Sequence, residues 1–397
     1  MIEIYSAIKE EAYRWRARTA QTLSGLVKIP SYSGREEAVC RHVEAACLEL
    51  GMDDVHIDGF GNVIARIGSG DKTLAFDAHV DTVGPGDESR WELDPFSGLI
   101  VDGKVHGRGA ADQKGGVAAL LTAAGILKCL RYNGGHTVYF TFTVLEEDCE
   151  GLCWNYLIEK ERLIPDYVIS TEPTGCRIYR GQRGRMEMKA SVRGISAHGS
   201  APERGENAVY KAARAALAIE HLNETLTGDE FLGKGSITVS KIEAAGPSLC
   251  AIPDTGFLYL DRRLAWGESA ETAVKQVIEC AGKDLEKIET PDFTRRGWRN
   301  LDYYQPSYFP SWKTAENHPL VRAGVTNYAS LYGSAPETGR WSFSTNCVAI
   351  AGARGIPCIG FGPGDEGQAH VPNEYTRIDD LEISSAFYAA LPYTLDA

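Results

Sequence analysis

The segment Phe76-Asp77-Ala78-His79-Val80-Asp81-Thr82 carries a short apolar strand, Leu74 to Phe76, out into a histidine and an aspartate two positions apart. Side chains two apart on an extended segment share a side, so Asp81 lies beside His79 and can hold its ring in place as a metal ligand. Acids suited to complete such a site follow in order. Asp112 lies in the glycine-rich turn Gly107-Arg-Gly-Ala-Ala-Asp-Gln-Lys-Gly-Gly116, Glu146 and Glu147 end the strand Thr137 to Leu145, Glu172 follows the strand Tyr167 to Ser170, and His370 comes near the C-terminus. Two imidazoles and several carboxylates form a ligand set suited to a pair of divalent ions such as zinc.

Around these residues strand and helix patterns alternate, which predicts an α/β core. Apolar positions three and four apart predict helices over 7–28 and 35–51, the second ending at Gly51, and strands follow at 55–58, 62–67 and 73–77. A helix of small and apolar residues is expected over 115–127, behind the turn that carries Asp112, and a β-branched and aromatic strand over 137–145 delivers Glu146 and Glu147 to the same edge. Ligands leaving the ends of several strands are what an open α/β sheet provides. After Glu172 the run Tyr179-Arg-Gly-Gln-Arg-Gly-Arg185 reads as a hinge. Beyond it a strand over 185–193, a helix over 206–222, strands over 235–242 and 255–263 and a helix over 268–285 make up most of a ferredoxin-like sandwich. The expected organisation is therefore a catalytic metal-binding domain of residues 1–181 and 304–397, with a lid and dimerisation domain, 182–303, inserted into it. The core resumes with a helix over 318–332 and a further α/β segment over 341–362.

Composition narrows the function classes. A chain of 397 residues, 43% of them hydrophobic, can bury a large core. Its formal charge of -13, from 54 acidic and 41 basic residues, argues against nucleic acid as a partner, because phosphate binding needs a basic face. No run of 18 apolar residues marks a membrane span, and the N-terminus, which interleaves charge with apolar residues, does not read as a signal peptide. Ten cysteines are scattered from Cys40 to Cys358 without a Cys-x-x-Cys pair, as expected of buried thiols in a reducing cytoplasm. Gly98-Leu-Ile-Val-Asp-Gly-Lys104 mimics a phosphate loop, but Val105 stands where Ser or Thr should contact magnesium.

The motifs His79-Val-Asp81, Gly107-Arg-Gly-Ala-Ala-Asp112, Glu146-Glu147, Glu172-Pro-Thr174, Ser196-Ala-His-Gly-Ser-Ala-Pro202 and Gly362-Pro-Gly364 before His370 cover nearly the whole chain. In them the sequence resembles the zinc aminoacylase, glutamate carboxypeptidase and succinyl-diaminopimelate desuccinylase family of co-catalytic metallohydrolases. The phrases Gln182-Arg-Gly-Arg185, Glu146-Glu-Asp-Cys-Glu-Gly-Leu-Cys-Trp154 and Trp341-Ser-Phe-Ser-Thr-Asn346 further resemble the branch called selenium-metabolism-linked hydrolases.

The resemblance implies that Asp112 bridges two ions, Zn foremost with Co or Mn as alternatives, while His79 and Glu172 complete one and Glu147 and His370 the other. Glu146 is then the general base, with Asp81 orienting His79 and His198 reaching the other subunit's site in a homodimer. Arg263 resembles a lid arginine that grips a substrate carboxylate, and Arg340 and Asn346 are further candidates for substrate binding. Cys250 stands where many members carry an asparagine, which removes an amide donor. Adjacent residues at one strand end can exchange roles, so the swap of Glu146 with Glu147 is the alternative to this assignment. The expected reaction is hydrolysis of an amide bond in a small acyl-amino acid or dipeptide bearing a free carboxylate. A carbamoyl or ureido substrate is the alternative, and a non-enzymatic binding protein on the same fold is disfavoured by the intact Glu146.

Overall fold

The computed structural model describes residues 2–396 and is a mixed α/β structure. Its larger sheet runs in the order Asp54–Ile57, Val63–Ile67, His136–Thr143, Lys72–His79, Tyr167–Ser170, Cys358–Gly360, Ile178–Gln182 and Trp312–Lys313, and Thr338–Trp341 also pairs with Ile178–Gln182. Its centre is parallel: Lys72–His79 lies between His136–Thr143 and Tyr167–Ser170, with His79 opposite Thr143 and Asp77 opposite Ser170. Three carboxyl ends therefore emerge side by side. Central strands covered on both faces are apolar almost throughout, and Leu74, Phe76, Val138, Phe140, Phe142, Val168 and Ile169 are fully buried.

Helices Ile2–Val27, Gly115–Cys129 and Ile378–Leu395 pack against one another over this sheet. The middle one, Gly-Gly-Val-Ala-Ala-Leu-Leu-Thr-Ala-Ala-Gly at its start, is buried from Gly115 to Leu127, and its small side chains let the neighbouring helices approach closely.

A second sheet, in the order Ser236–Ala245, Thr255–Leu264, Gly184–Arg193 and Lys287–Glu289, carries helices Ala208–Thr225 and Ala270–Ala281 and has its own apolar core, built on residues such as Met186, Ala212, Ile219 and Leu260. The strand Lys287–Glu289 supplies the last element of the ferredoxin-like β-α-β-β-α-β unit. Among the described residues its Ser236–Ala245 strand is an edge, paired only to Thr255–Leu264. The return to the core is gradual. The hairpin Asp292–Arg296 with Asp302–Pro306 packs Phe293, Trp298 and Tyr303 against the larger core, whereas Tyr308–Phe309 still pairs with the lid strand Gly184–Arg193.

The hinge expected over 179–185 is in large part a strand. Ile178–Gln182 is paired on both sides, and only Arg183 separates it from the lid strand. Glycine serves close packing here: a Cβ on Gly181 would sit 2.8 Å from the Trp312 carbonyl oxygen and one on Gly184 2.6 Å from that of Phe309. Among the described residues no helix is long and apolar enough to cross a membrane.

Candidate metal centre

His79 is the last residue of its strand and has no solvent exposure. Its Nδ1 lies 2.9 Å from the backbone carbonyl of Asp81 and 3.5 Å from that residue's carboxylate, which fixes the ring with Nε2 toward Asp112 and Glu172. The Asp81 carboxylate also accepts from the backbone N–H groups of Glu146 and Glu147 and from the Ser33 hydroxyl. One buried acid thus ties together the histidine and the turn that presents both glutamates.

Asp112 is delivered by a turn that glycine makes possible. Gly109 has φ +84°, and a Cβ there would meet the Thr82 methyl at 2.5 Å. The turn is held from behind by Glu374, whose carboxylate accepts from the backbone N–H groups of Gly109, Ala111 and Asp112 and pairs with Arg108 at 2.7 Å. Buried Lys114 donates to the carbonyls of Leu26 and Ile29 and pins the same segment to the end of the first helix. Neither residue stands out in the sequence, since a lone buried acid or lysine leaves no periodic signal.

The ligand atoms form two triads that share Asp112: His79, Asp112 and Glu172 in one, Asp112, Glu147 and His370 in the other, with the atoms of each within 4.8 Å of one another. His79 Nε2 lies 3.0 Å from one Asp112 oxygen and 3.6 Å from Glu172, and His370 Nε2 lies 3.3 Å from the other Asp112 oxygen and 2.8 Å from Glu147. The five residues expected as metal ligands are therefore together, arranged so that a central carboxylate faces both histidines.

Electrostatics points the same way. Burial pushes the carboxyls of Glu146 and Glu172 well above their usual range; His79 opposes this, while neighbouring carboxylates add to it. Asp112, although burial works against its charge, is held below its usual range by hydrogen bonds from His370 and His79. Buried carboxylates outnumber the two imidazoles, so the cluster lacks positive charge, and divalent cations supply what the donor set demands. Imidazole and carboxylate together suit zinc, and the residues fit such ions.

Glu146 stands apart from the ligand triads. Its Oε2 lies 3.8 Å from His79 Nε2, and its buried Oε1 has no hydrogen-bond partner among the described residues. It lines a cavity of about 340 Å³ that also touches Asp112, Glu147, Glu172 and His370 together with the lid residues Arg185 and Arg263.

The remaining expected residues separate. Arg263 reaches the cavity, with its Nε and Nη2 held by Asp261 at 2.9 and 3.1 Å. Arg340 is exposed, away from the cavity lining and beside Gly233. His198 is exposed on the lid, bonded to Ser200, and does not line its own chain's cavity. Asn346 does not serve as a substrate contact here. It is 1% exposed, donates to Asp77 and Thr143, and accepts from the Gly151 N–H and the Cys153 thiol, so its amide is fully engaged beneath the sheet edge. Its neighbours Phe343 and Ser344 reach the cavity instead.

Comparisons with known proteins agree with this geometry. Residues 75–394 match the model of peptidase family M20/M25/M40. The uncharacterized protein YgeY of Escherichia coli is 44% identical over 390 residues, 98% of this chain and 97% of that one. A succinyl-diaminopimelate desuccinylase of Magnetococcus marinus is 30% identical over 389 residues, 92% of this chain and 95% of that one. The crystal structure of the Bacillus subtilis YXEP protein, a dinuclear metal binding peptidase from the M20 family, superposes with a TM-score of 0.70 at 17% identity, covering 96% of this chain and 98% of that one.

Proposed function

The chain belongs to peptidase family M20/M25/M40 and is a hydrolytic enzyme acting on amide bonds, and on that premise we propose that it cleaves a small acyl-amino acid or dipeptide-like substrate with a free carboxylate. The observation that supports this most is the pair of ligand triads sharing Asp112, with Glu146 beside them uncommitted. His79, Asp112 and Glu172 would hold one divalent ion, and Asp112, Glu147 and His370 a second, zinc by preference with cobalt or manganese as alternatives. When bound, such ions polarise a scissile carbonyl and lower a water's pKa from 15.7 to about 7. Glu146 takes the proton from the attacking water through its free oxygen and gives it to the leaving amine. Asp81 keeps His79 in the orientation that leaves Nε2 for coordination. Amine release from dipeptides and N-acyl amino acids, screened with zinc, manganese or cobalt, tests the reading directly.

Arg263 is the group proposed to meet the substrate carboxylate, because it lines the cavity from the lid and a guanidinium can pair with both carboxylate oxygens. Removing one partner of a buried charged pair costs about 2–5 kcal/mol. Arg263→Ala is therefore expected to lower kcat/KM well over tenfold on carboxylate-bearing substrates and much less on their amide-capped analogues. Equal losses on both would assign Arg263 to the Asp261 ion pair alone.

The proposal extends to a cytoplasmic homodimer. The reducing compartment is supported by ten cysteines, all free and most of them buried. The dimer is supported by the unpaired edge Ser236–Ala245, which borders a groove of about 620 Å³ lined by Leu217, Ile237 and Ile242, with Leu217 66% and Ile242 48% exposed. His198 then acts in the partner's cleft. Mixing His198→Ala chains with Glu146→Ala chains should restore one working site per hybrid, and a fully active monomer in sedimentation would exclude the arrangement.

A further inference from the structure

The turn that presents the two glutamates has an unusual backbone. Leu145, the residue before Glu146, is buried and has φ +61°, a left-handed conformation that a bulky side chain adopts only where its surroundings impose it. The backbone N–H groups of Leu145, Glu146 and Glu147 follow one another, and successive N–H groups in such a turn make a concavity that favours anions. Each is accepted by a buried carboxylate. Leu145 donates to Glu36 at 3.1 Å, and Glu146 and Glu147 donate to the two oxygens of Asp81 at 3.2 and 3.1 Å.

Glu36 directly precedes the helix Glu37–Glu49 and has no solvent exposure. An acid at that position would ordinarily cap its own helix, but the Glu36 side chain makes no cap bond, which leaves it for the turn. Its Oε1 accepts from Leu145 and, at 2.9 Å, from the Gly34 N–H, while Oε2 is buried without a hydrogen-bond partner among the described residues. The segment that carries it is fastened to the end of the His79 strand. The Ser31 hydroxyl donates to the Val80 carbonyl at 2.7 Å, the Ser31 carbonyl accepts from the Thr82 N–H at 2.9 Å, and the Ser33 hydroxyl donates to the Asp81 carboxylate at 2.7 Å. Residues 31–36 thus join the strand end that carries His79 to the one that carries Glu146 and Glu147.

We propose that Glu36 is a positioning residue for both glutamates: by accepting the Leu145 N–H it holds the left-handed turn that sends Glu147 toward His370 and leaves Glu146 free. This rests on the amide-hydrolysis reading above and adds to it a residue that touches neither substrate nor ligand atoms. The turn uses the oxygen of Glu36 and not its charge, because both bonds it makes are to backbone N–H groups. Glutamine at this position can accept the same two bonds through its carbonyl oxygen. Alanine cannot, and it leaves a buried N–H without its partner.

The test compares Glu36→Ala with Glu36→Gln in two measurements. Zinc affinity, read by competition with a chromophoric chelator, needs no substrate. One of the two ions should bind about 10–100-fold more weakly to Glu36→Ala, as when a group supporting a metal ligand is lost, and close to normally to Glu36→Gln. With zinc saturating both positions, kcat on an N-acyl amino acid or dipeptide that the native protein cleaves should fall about 10–100-fold in Glu36→Ala, with KM much less affected, and Glu36→Gln should regain most of it. Adding Glu36→Ala to Glu146→Gln should lower kcat less than about threefold further, because the base that Glu36 aims is already gone. A second full loss in that background would make Glu36 a support of the fold alone and overturn the proposal. So would native affinity and kcat in Glu36→Ala, or a Glu36→Gln protein as impaired as Glu36→Ala. If Glu36→Ala does not fold, Glu36→Asp, whose shorter side chain draws the acceptor back from Leu145, takes its place with the same expected and contradicting results. If the native protein cleaves no amide, the hydrolytic reading falls and the zinc affinities decide alone: a weakened ion restored by glutamine would support the hold of Glu36 on the turn, and unchanged affinities would overturn it.

Discussion

Glu146→Gln will yield a folded protein that still holds two divalent ions and turns substrate over about 10²–10⁴-fold more slowly, the usual contribution of a positioned general acid-base group. Glu146 and Glu147 leave the same strand end with their backbone N–H groups on the same carboxylate, that of Asp81. Their side chains differ in occupation. Glu147 lies 2.8 Å from His370 and belongs to a ligand triad, whereas Glu146 keeps a buried oxygen without a partner. Glutamine preserves shape and removes the proton acceptor, so ion count and rate should separate. A Glu146→Gln protein short of an ion, or a Glu147→Gln protein that keeps both, would show that the two glutamates exchange roles.

Asp112→Asn is expected to be more damaging still, because this carboxylate is the member common to both triads. Substituting groups that only support metal ligands costs roughly 10–100-fold in affinity or activity. Loss of a shared ligand should exceed that at both positions, so bound metal falls below one ion per chain and activity falls with it. The fold should survive, because the turn's backbone is held by Glu374 and Lys114 and not by the Asp112 side chain. Full occupancy in Asp112→Asn, measured on dialysed protein, would remove Asp112 from its bridging position.

The fold was legible where a pattern had contrast. The helix expected over 268–285 is found at Ala270–Ala281 and the strand expected over 255–263 at Thr255–Leu264, because one face of each is buried and the other is not. Ile378–Leu395 escaped notice for the opposite reason: it is buried almost all round, so no 3.6-residue period shows, and Pro392 lies within it. Ile178–Gln182 read as a hinge because glycine and arginine mark both flexible turns and tightly packed edges.

Within the site, His79, Asp112, Glu147, Glu172 and His370 were readable because each follows a strand or a glycine turn in a familiar phrase. Asn346 was misread although its phrase is equally familiar. Sequence shows that Trp341 to Asn346 lies near the site but not which side chains turn toward it, and the register turns Phe343 and Ser344 to the cavity and Asn346 to Asp77. Glu36 and Glu374 carry no pattern of their own, and only the packing of distant segments reveals them.

The most direct measurement is a metal titration of chelator-stripped protein, with bound ions counted by elemental analysis alongside amine release from an N-acyl amino acid or dipeptide that the native protein cleaves. Two zinc ions per chain with activity rising to a plateau at full occupancy is the expected result. Activity that persists in the stripped protein, or a plateau with no ion bound, would contradict a dinuclear centre built on Asp112.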